Sequence, residues 1–384
     1  MNFETVYTQG QQGFNRGLSM GEGLSSIDSA VNGTQKGRLI GVAGAPKSGK
    51  STLVDAAFVI APYLEAINNP SLKVTWIYFS FEIARVAKEF DFCVYFMYLD
   101  YGITDVLLDD GITKDGKNKL ELSADLLRGR IKDDLGEMIT LPKAVHPVHN
   151  LTVEQMMISC YRRYIEPLFG VYNTEGICIT PGRMFFITNR DNPTGLRNLI
   201  MDFAKSRGKF LKEGGKTNGR ITGYKAGDPE ETVIIVTDHL RKLLQERGFD
   251  KKQTVDKMVE YQCELRDWCN YVFVDIIHLN RAMSDVARQR HQGDRLYPNS
   301  DDVKDTGNLA EDCDYLYTIM NPNDQRYGLV SHFGNTIKTK RGEAIYPNLR
   351  SIHLVESRHC AFPQHFSVNM FGGTKTFEKV NFNT

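Results

Sequence analysis

The sequence predicts an α/β fold with a mainly parallel central sheet flanked by helices, and three observations carry that prediction. Short apolar runs recur at residues 39–43, 74–80, 184–188, 233–237 and 272–277. Longer segments with helical spacing, such as 196–205 and 254–270, separate most of them. Strands alternating with helices build parallel units whose strands are buried on both faces, which is why they read as unbroken apolar runs. The third observation is that the first run leads straight into Gly44, Ala45, Pro46, Lys47, Ser48, Gly49, Lys50 and Ser51, a complete Gly-x4-Gly-Lys-Ser loop. Helical sequence follows from Thr52 to residue 61, where Pro62 is expected to end or kink the helix.

That loop predicts a bound nucleoside triphosphate. Gly44 and Gly49 let the backbone curl so that its N–H groups face a polyphosphate, and the helix start adds roughly half a positive charge. Lys50 reaches the β- and γ-phosphates, and the Ser51 hydroxyl takes a position on Mg²⁺. ATP is therefore the expected substrate and Mg²⁺ the expected cofactor. A second metal-site carboxylate is needed at the end of a neighbouring buried strand, and Asp238 follows the apolar run 233–236. Glu82 stands just past the run 74–80, where ligands meet the carboxyl ends of strands in an open sheet. It is the candidate to orient or deprotonate the attacking water. His278 ends the run 272–277 as a candidate γ-phosphate sensor. Taken alone, Glu82 also reads as a surface acid and His278 as an ordinary strand-end histidine.

Composition bounds the rest. Lys+Arg 47 balance Asp+Glu 47, so affinity for nucleic acid has to come from local patches. No run approaches about 18 consecutive apolar residues, so no transmembrane helix is expected. The N-terminus lacks a basic start followed by an apolar run, so no secretory signal is expected. The 7 cysteines include no Cys-x-x-Cys pair and read as reduced thiols of a cytoplasm, not as a disulfide frame or zinc site. Residues 1–37, rich in Gly, Gln and Ser, read as an arm or linker. Residues 107–150, charged and loop-rich, interrupt the strand–helix pattern. Lys205, Arg207, Lys209, Lys212, Lys216, Arg220 and Lys225 stand in one stretch with a single acid, Glu213, and read as a solvated loop with a nucleic-acid or phosphate contact as the alternative.

Taken in order, the motifs resemble the RecA-like motor domain of DnaB-type hexameric replicative helicases, particularly phage-encoded members. Tyr78-Phe-Ser-Phe-Glu82 resembles the family's Phe-Ser-Leu-Glu segment, and residues 276–281 resemble its Leu-Ser-Gln-Leu-Asn-Arg. Residues 300–314 parallel its Ser-Asp-Leu-Arg-Glu-Ser-Gly loop, which implies single-stranded DNA contacts at Lys304, Asp305 and Gly307. Residues 352–358 resemble the strand bearing a trans-acting arginine finger, with Arg358 at that position. The resemblance implies one ATPase domain over 38–384 with an insertion at 107–180, a ring of six copies, duplex unwinding, and a primase or loader as separate chains. Glu356 departs from the family, which carries a basic residue there. The family's N-terminal helical domain is not matched, so residues 1–37 are expected to supply at most a short docking arm. Two rival readings stand beside this one: a recombination ATPase of the wider RecA class, and a nucleotide-binding scaffold with weak catalysis.

Overall fold

The computed structural model describes residues 16–107, 119–132, 137–215, 219–280, 283, 285–306 and 308–382. The chain divides into two compact units, one of Met1–Glu82, Asn189–Met370 and Phe377–Thr384, the other of Ile83–Thr188 and Phe371–Thr376. The larger unit is built on strands β1 (Leu39–Gly44), β2 (Val74–Ser80), β3 (Thr232–Asp238), β4 (Val272–His278), β5 (Tyr315–Met320), β6 (Leu349–Ser357), β7 (Gln364–Phe371) and β8 (Thr376–Lys379). They lie in the order β8-β7-β6-β5-β1-β4-β3-β2. From β5 to β2 every pairing is parallel. The flank is antiparallel, β6 pairing with both β5 and β7. Every residue of β1, β2, β3 and β5 is buried, which is why the sequence shows runs there and not alternation. The fold class is the predicted one.

Helix α1 (Ser25–Val31) lies within the segment read as an arm. So far as that segment is described it packs, burying Leu18, Met20, Leu24, Ile27 and Val31. Helix α2 follows the glycine-rich loop and does not stop at Pro62. It starts as Lys50–Val54, passes through a π-helical turn at Asp55–Ile60, and continues as Ala61–Asn68. The carbonyl that residue 62 would serve in an unbroken α-helix is that of Phe58. Trp76 on β2 donates its indole Nε1–H to that oxygen at 2.8 Å. A buried carbonyl is satisfied from the sheet, and the proline is tolerated.

Helices α3 (Pro193–Arg207) and α4 (Lys251–Cys269) cover the predicted spans 196–205 and 254–270. The Asp250 side chain accepts from Gln253 N at 2.8 Å, and the Gln253 side chain accepts from Asp250 N at 2.9 Å, closing a capping box on α4. The basic stretch after α3 is not simply a loop. Gly208–Lys212 and Ile221–Ala226 pair as an antiparallel hairpin, with Lys216 outside the described residues.

α4 also carries Gln262, whose amide donates to Asp275 of β4 at 2.9 Å. Asp275 is fully buried, and burial pushes its carboxyl up to about 7, with the Gln262 bond acting against that rise. A carboxyl raised in the fold contributes stability that is complete below its ordinary 3.8 and is lost as pH climbs through about 7. Asp275→Asn, which keeps an acceptor for Gln262, is expected to be more stable than wild type at pH 8 by up to about 4 kcal/mol. Near pH 4 the difference should vanish. Urea midpoints of the two proteins at both pH values check this.

The smaller unit packs the helix Arg85–Tyr101 with the helical run Val153–Cys160, Tyr161–Ile165 and Glu166–Phe169. Phe96 stacks on Tyr164 at 4.3 Å and Phe92 meets Phe169 edge-on at 5.6 Å. Residues 107–132 and 137–180 fall within this unit so far as they are described. Among the described residues no helix is long and apolar enough to cross a membrane. All seven cysteines are free thiols.

Candidate nucleotide-hydrolysis site

Strand register brings the chemistry to one edge of the sheet. Gly44 at the end of β1 pairs with His278 at the end of β4, and Asp238 at the end of β3 lies level with Ile276 and Ser80. The loop between β1 and α2 turns through left-handed positions at Lys47 (φ 64°) and Gly49 (φ 103°). Gly49 suits that conformation, and a Cβ there would also strike the Met370 sulfur. A Cβ on Gly44 would collide with Ser48 Oγ and the Ile319 carbonyl. Pro46 and Lys47 are exposed at the loop tip, while Ala45, Ser51 and Thr52 are half-buried.

The loop holds groups that suit a polyanion. Lys50 is buried, and its Nζ turns back onto the Ala45 carbonyl at 2.9 Å. Burial pushes its ammonium down to about 8, against the pull of the Asp238 and Glu82 carboxylates. Ser48 Oγ is buried with no hydrogen-bond partner, and Arg350 at the start of β6 donates its Nε–H to the Ser48 carbonyl at 3.2 Å. A buried cation turned onto a carbonyl, an orphaned hydroxyl and a glycine cradle fit a bound triphosphate. Ser51, in the first turn of α2, and Asp238, buried at the end of β3, are the oxygen donors that would hold a Mg²⁺ ion, which binds through one or two protein groups.

Glu82 is positioned by the backbone. Phe81 N donates to the Asp238 carbonyl at 2.8 Å, which carries the chain after β2 across the end of β3. The Glu82 carboxylate then lies 3.2 Å from His239 Nε2 and 3.1 Å from Lys242 Nζ. The His239 and His278 rings meet edge to face at 4.5 Å. Burial works against ionising Glu82, yet the Lys242 hydrogen bond and the His239 ring outweigh it and hold the carboxyl below its ordinary value. Burial, with the neighbouring His278, pushes His239 down to about 4. Burial and the Lys50 charge lower His278 as well. At neutral pH the cluster is therefore one ionised carboxylate beside two neutral imidazoles, suited to orienting a water and receiving its proton.

His278 continues into two consecutive amides. Leu279 N donates to the Gly44 carbonyl at 3.3 Å, and Asn280 N donates to the Asp302 carbonyl at 2.9 Å. The Asn280 side chain also donates to the Asp301 carbonyl at 3.2 Å. Asp302 is buried and clamped by Arg288 through two bonds of 2.6 and 2.9 Å. Lys304 and Asp305 lie on the 3-10 segment Ser300–Thr306, but their side chains, and Gly307, fall outside the described residues.

Arg358 is not brought to this edge. It follows β6, whose Ser357 pairs with Tyr315, and Tyr315 lies level with Ile40 at the start of β1. That is the opposite end of the sheet from Gly44, a strand length of roughly 13 Å away. Its guanidinium is 46% exposed and donates to the Glu311 carbonyl at 2.6 Å. His239, Lys242 and Arg350 were not anticipated from sequence. His239 adjoins Asp238 and was legible from that adjacency, whereas Lys242 and Arg350 arrive only through the fold.

No family model matches the sequence, and no curated protein does. Among solved structures, the chain is similar to an isolated ATPase domain with a TM-score of 0.60 and 12% identity, over 98% of this chain and 97% of that one. It is similar, again with a TM-score of 0.60 and 12% identity, to a DnaB-like replicative helicase whose structure was solved to address its interactions with primase. That match covers 98% of this chain and 67% of the other. The chain has the RecA-like fold of the ATPase domain of DnaB-like helicases.

Proposed function

We propose that this protein is an ATP-driven motor that moves along single-stranded DNA and unwinds duplex, working as a ring in which each subunit completes its neighbour's site. The observation that carries the reading is the division of the site across the sheet. Lys50, Asp238 and Glu82 share one edge, while Arg358 stands exposed at the other. An arginine there has no reach to its own phosphates and serves only those of the next copy. Contacts of that head-to-tail kind close into rings or continue as filaments. The DnaB-type motif order supports a ring of six.

In the proposed cycle Lys50 and the loop amides hold the phosphates. Ser51 and Asp238 would hold a Mg²⁺ ion, which would supply positive charge against the phosphates. Glu82 aligns water for in-line attack and takes its proton, and Arg358 of the neighbouring copy faces the charge that builds on the γ-phosphate. His278 connects phosphate occupancy to the segment 300–307, where Lys304, Asp305 and Gly307 meet the DNA backbone. A primase or loader, where one acts, is a separate chain, and the cytoplasm is the expected setting.

The test is ATP turnover with and without single-stranded DNA at a fixed salt concentration, followed by unwinding of a 5′-tailed duplex. DNA-stimulated turnover with unwinding is expected. Stimulation without unwinding would favour a recombination ATPase, and nucleotide binding without turnover a scaffold.

A further inference from the structure

Away from the nucleotide site, three histidines distant in sequence converge on the antiparallel flank of the sheet. His353 on β6 and His365 on β7 are direct cross-strand partners, their rings stacked at 4.9 Å. His332 reaches them from a two-strand hairpin, Ser331–His332 paired with Asn335–Thr336. Ring nitrogens of all three lie within 4.8 Å of one another. We propose that His332, His353 and His365 form a binding site for a zinc-class divalent ion that fastens this hairpin to the sheet.

The donor set selects the ion. Imidazole nitrogens suit zinc, cobalt, nickel or copper, whereas calcium and magnesium require oxygen. Burial, with His365 nearby, pushes His332 down to about 4, and burial alone does the same to His365. Burial, with its two histidine neighbours, holds His353 well below its ordinary value. All three are therefore in the neutral, lone-pair form at pH 7. The tautomer of His332 is set as a ligand's would be. Its Nδ1 faces the Asp294 carbonyl at 3.1 Å, and because a carbonyl only accepts, the proton sits there and Nε2 keeps its lone pair. That Nε2 points inward at Ser351 Oγ, 2.9 Å away, and the same hydroxyl lies 2.7 Å from His353 Nε2. His365 Nε2 lies 3.3 Å from Ser367 Oγ.

Aromatic rings pack against the site, where His332 and His353 are buried and His365 is half-buried. Phe333 stacks on His365 at 3.8 Å, and Tyr297 stacks on His353 at 4.8 Å. A tetrahedral zinc ion bound at about 2.0–2.1 Å holds its nitrogens roughly 3.3 Å apart. The three rings must draw together to meet it. His332, carried on a hairpin whose tip turns through Phe333 (φ 47°) and the open-sided Gly334 (φ 79°), is the ring that has to close on the two strand histidines. Ser351, between the two rings, becomes the fourth ligand or yields its place to the ion. The neighbouring positions on β6 include Arg350 beside the phosphate loop, so a metal here stiffens a strand that touches the nucleotide site.

The full-length protein, stripped with a chelator and dialysed, would be titrated with Co²⁺ and then Zn²⁺. One equivalent of cobalt should bind with the strong visible bands of four-coordinate cobalt, and zinc should displace it. Glu82, His239 and His278 form a second cluster able to take the ion. The bands should therefore persist in His278→Ala and disappear in His365→Ala, with zinc raising the melting temperature of wild type but not of His365→Ala. No cobalt binding by the stripped wild type would overturn the proposal. So would bands that vanish in His278→Ala but persist in His365→Ala. Should the His365 variant not fold, His332→Ala, on the hairpin, is the second ligand variant, and loss of the bands in it with their persistence in His278→Ala still assigns the ion to this cluster.

Discussion

Glu82→Gln is expected to lower ATP turnover by about 10²–10⁴-fold while nucleotide binding persists. The substitution keeps the length and one acceptor oxygen of the side chain and removes its charge. Nothing it touches belongs to the phosphate loop; its partners are His239 and Lys242. A purely structural ion pair would make the same numerical prediction, so a pH profile separates the two roles. Lys242 is among the groups that hold the Glu82 carboxyl below its ordinary value. Taking that cation away raises the pKa, because the ionised form loses its hydrogen-bonded partner. Turnover by Lys242→Met should therefore retain activity at neutral pH with its acid limb moved to higher pH. An unmoved limb in an active Lys242→Met protein would remove Glu82 from the role of base. Single-turnover rates and nucleotide binding, measured across pH 5 to 8, provide the comparison.

Arg358→Ala is expected to cost about 10³–10⁵-fold in turnover, the range found when an arginine finger is absent. The more telling experiment mixes two dead proteins. In a head-to-tail assembly each interface combines the Glu82 edge of one copy with the Arg358 end of the next. A subunit lacking Arg358 but retaining Glu82, placed before one lacking Glu82 but retaining Arg358, regenerates an intact interface. Mixing Arg358→Ala with Glu82→Gln should thus restore activity that neither shows alone. Failure to complement, in mixtures shown to co-assemble, would mean that Arg358 does not act in trans. Glu356, beside the finger and paired in the sheet with Leu316, is acidic where the resemblance leads one to expect a cation. Glu356→Lys is the natural companion variant for learning whether the acid tempers the trans contact.

Much of this was legible in the sequence because the fold places chemistry where strands end. The runs before Gly44, Glu82, Asp238 and His278 are buried on both faces, so their composition marked both the strands and the boundary where polar residues begin. What stayed hidden came from tertiary packing. Pro62 signals a helix end in isolation, and only the Trp76 indole, arriving from another element, shows why the helix goes on. Lys242 becomes Glu82's partner through the backbone bond from Phe81 to Asp238, which no local pattern encodes. His332, His353 and His365 have no shared motif, since strand pairing and a hairpin turn bring them together. The cysteines read as reduced thiols and are free thiols in the structure, while these three histidines went unremarked.

The amides of Leu279 and Asn280 carry one more implication. They are adjacent in the chain, and one is fastened to Gly44 and the other to Asp302. In the proposed cycle a displacement of the phosphate loop is handed to the segment 300–306 by these two main-chain bonds, with the Asn280 side chain adding a third. Neither main-chain bond depends on which side chain stands at 279 or 280, and proline alone, which lacks the N–H, would disconnect the linkage.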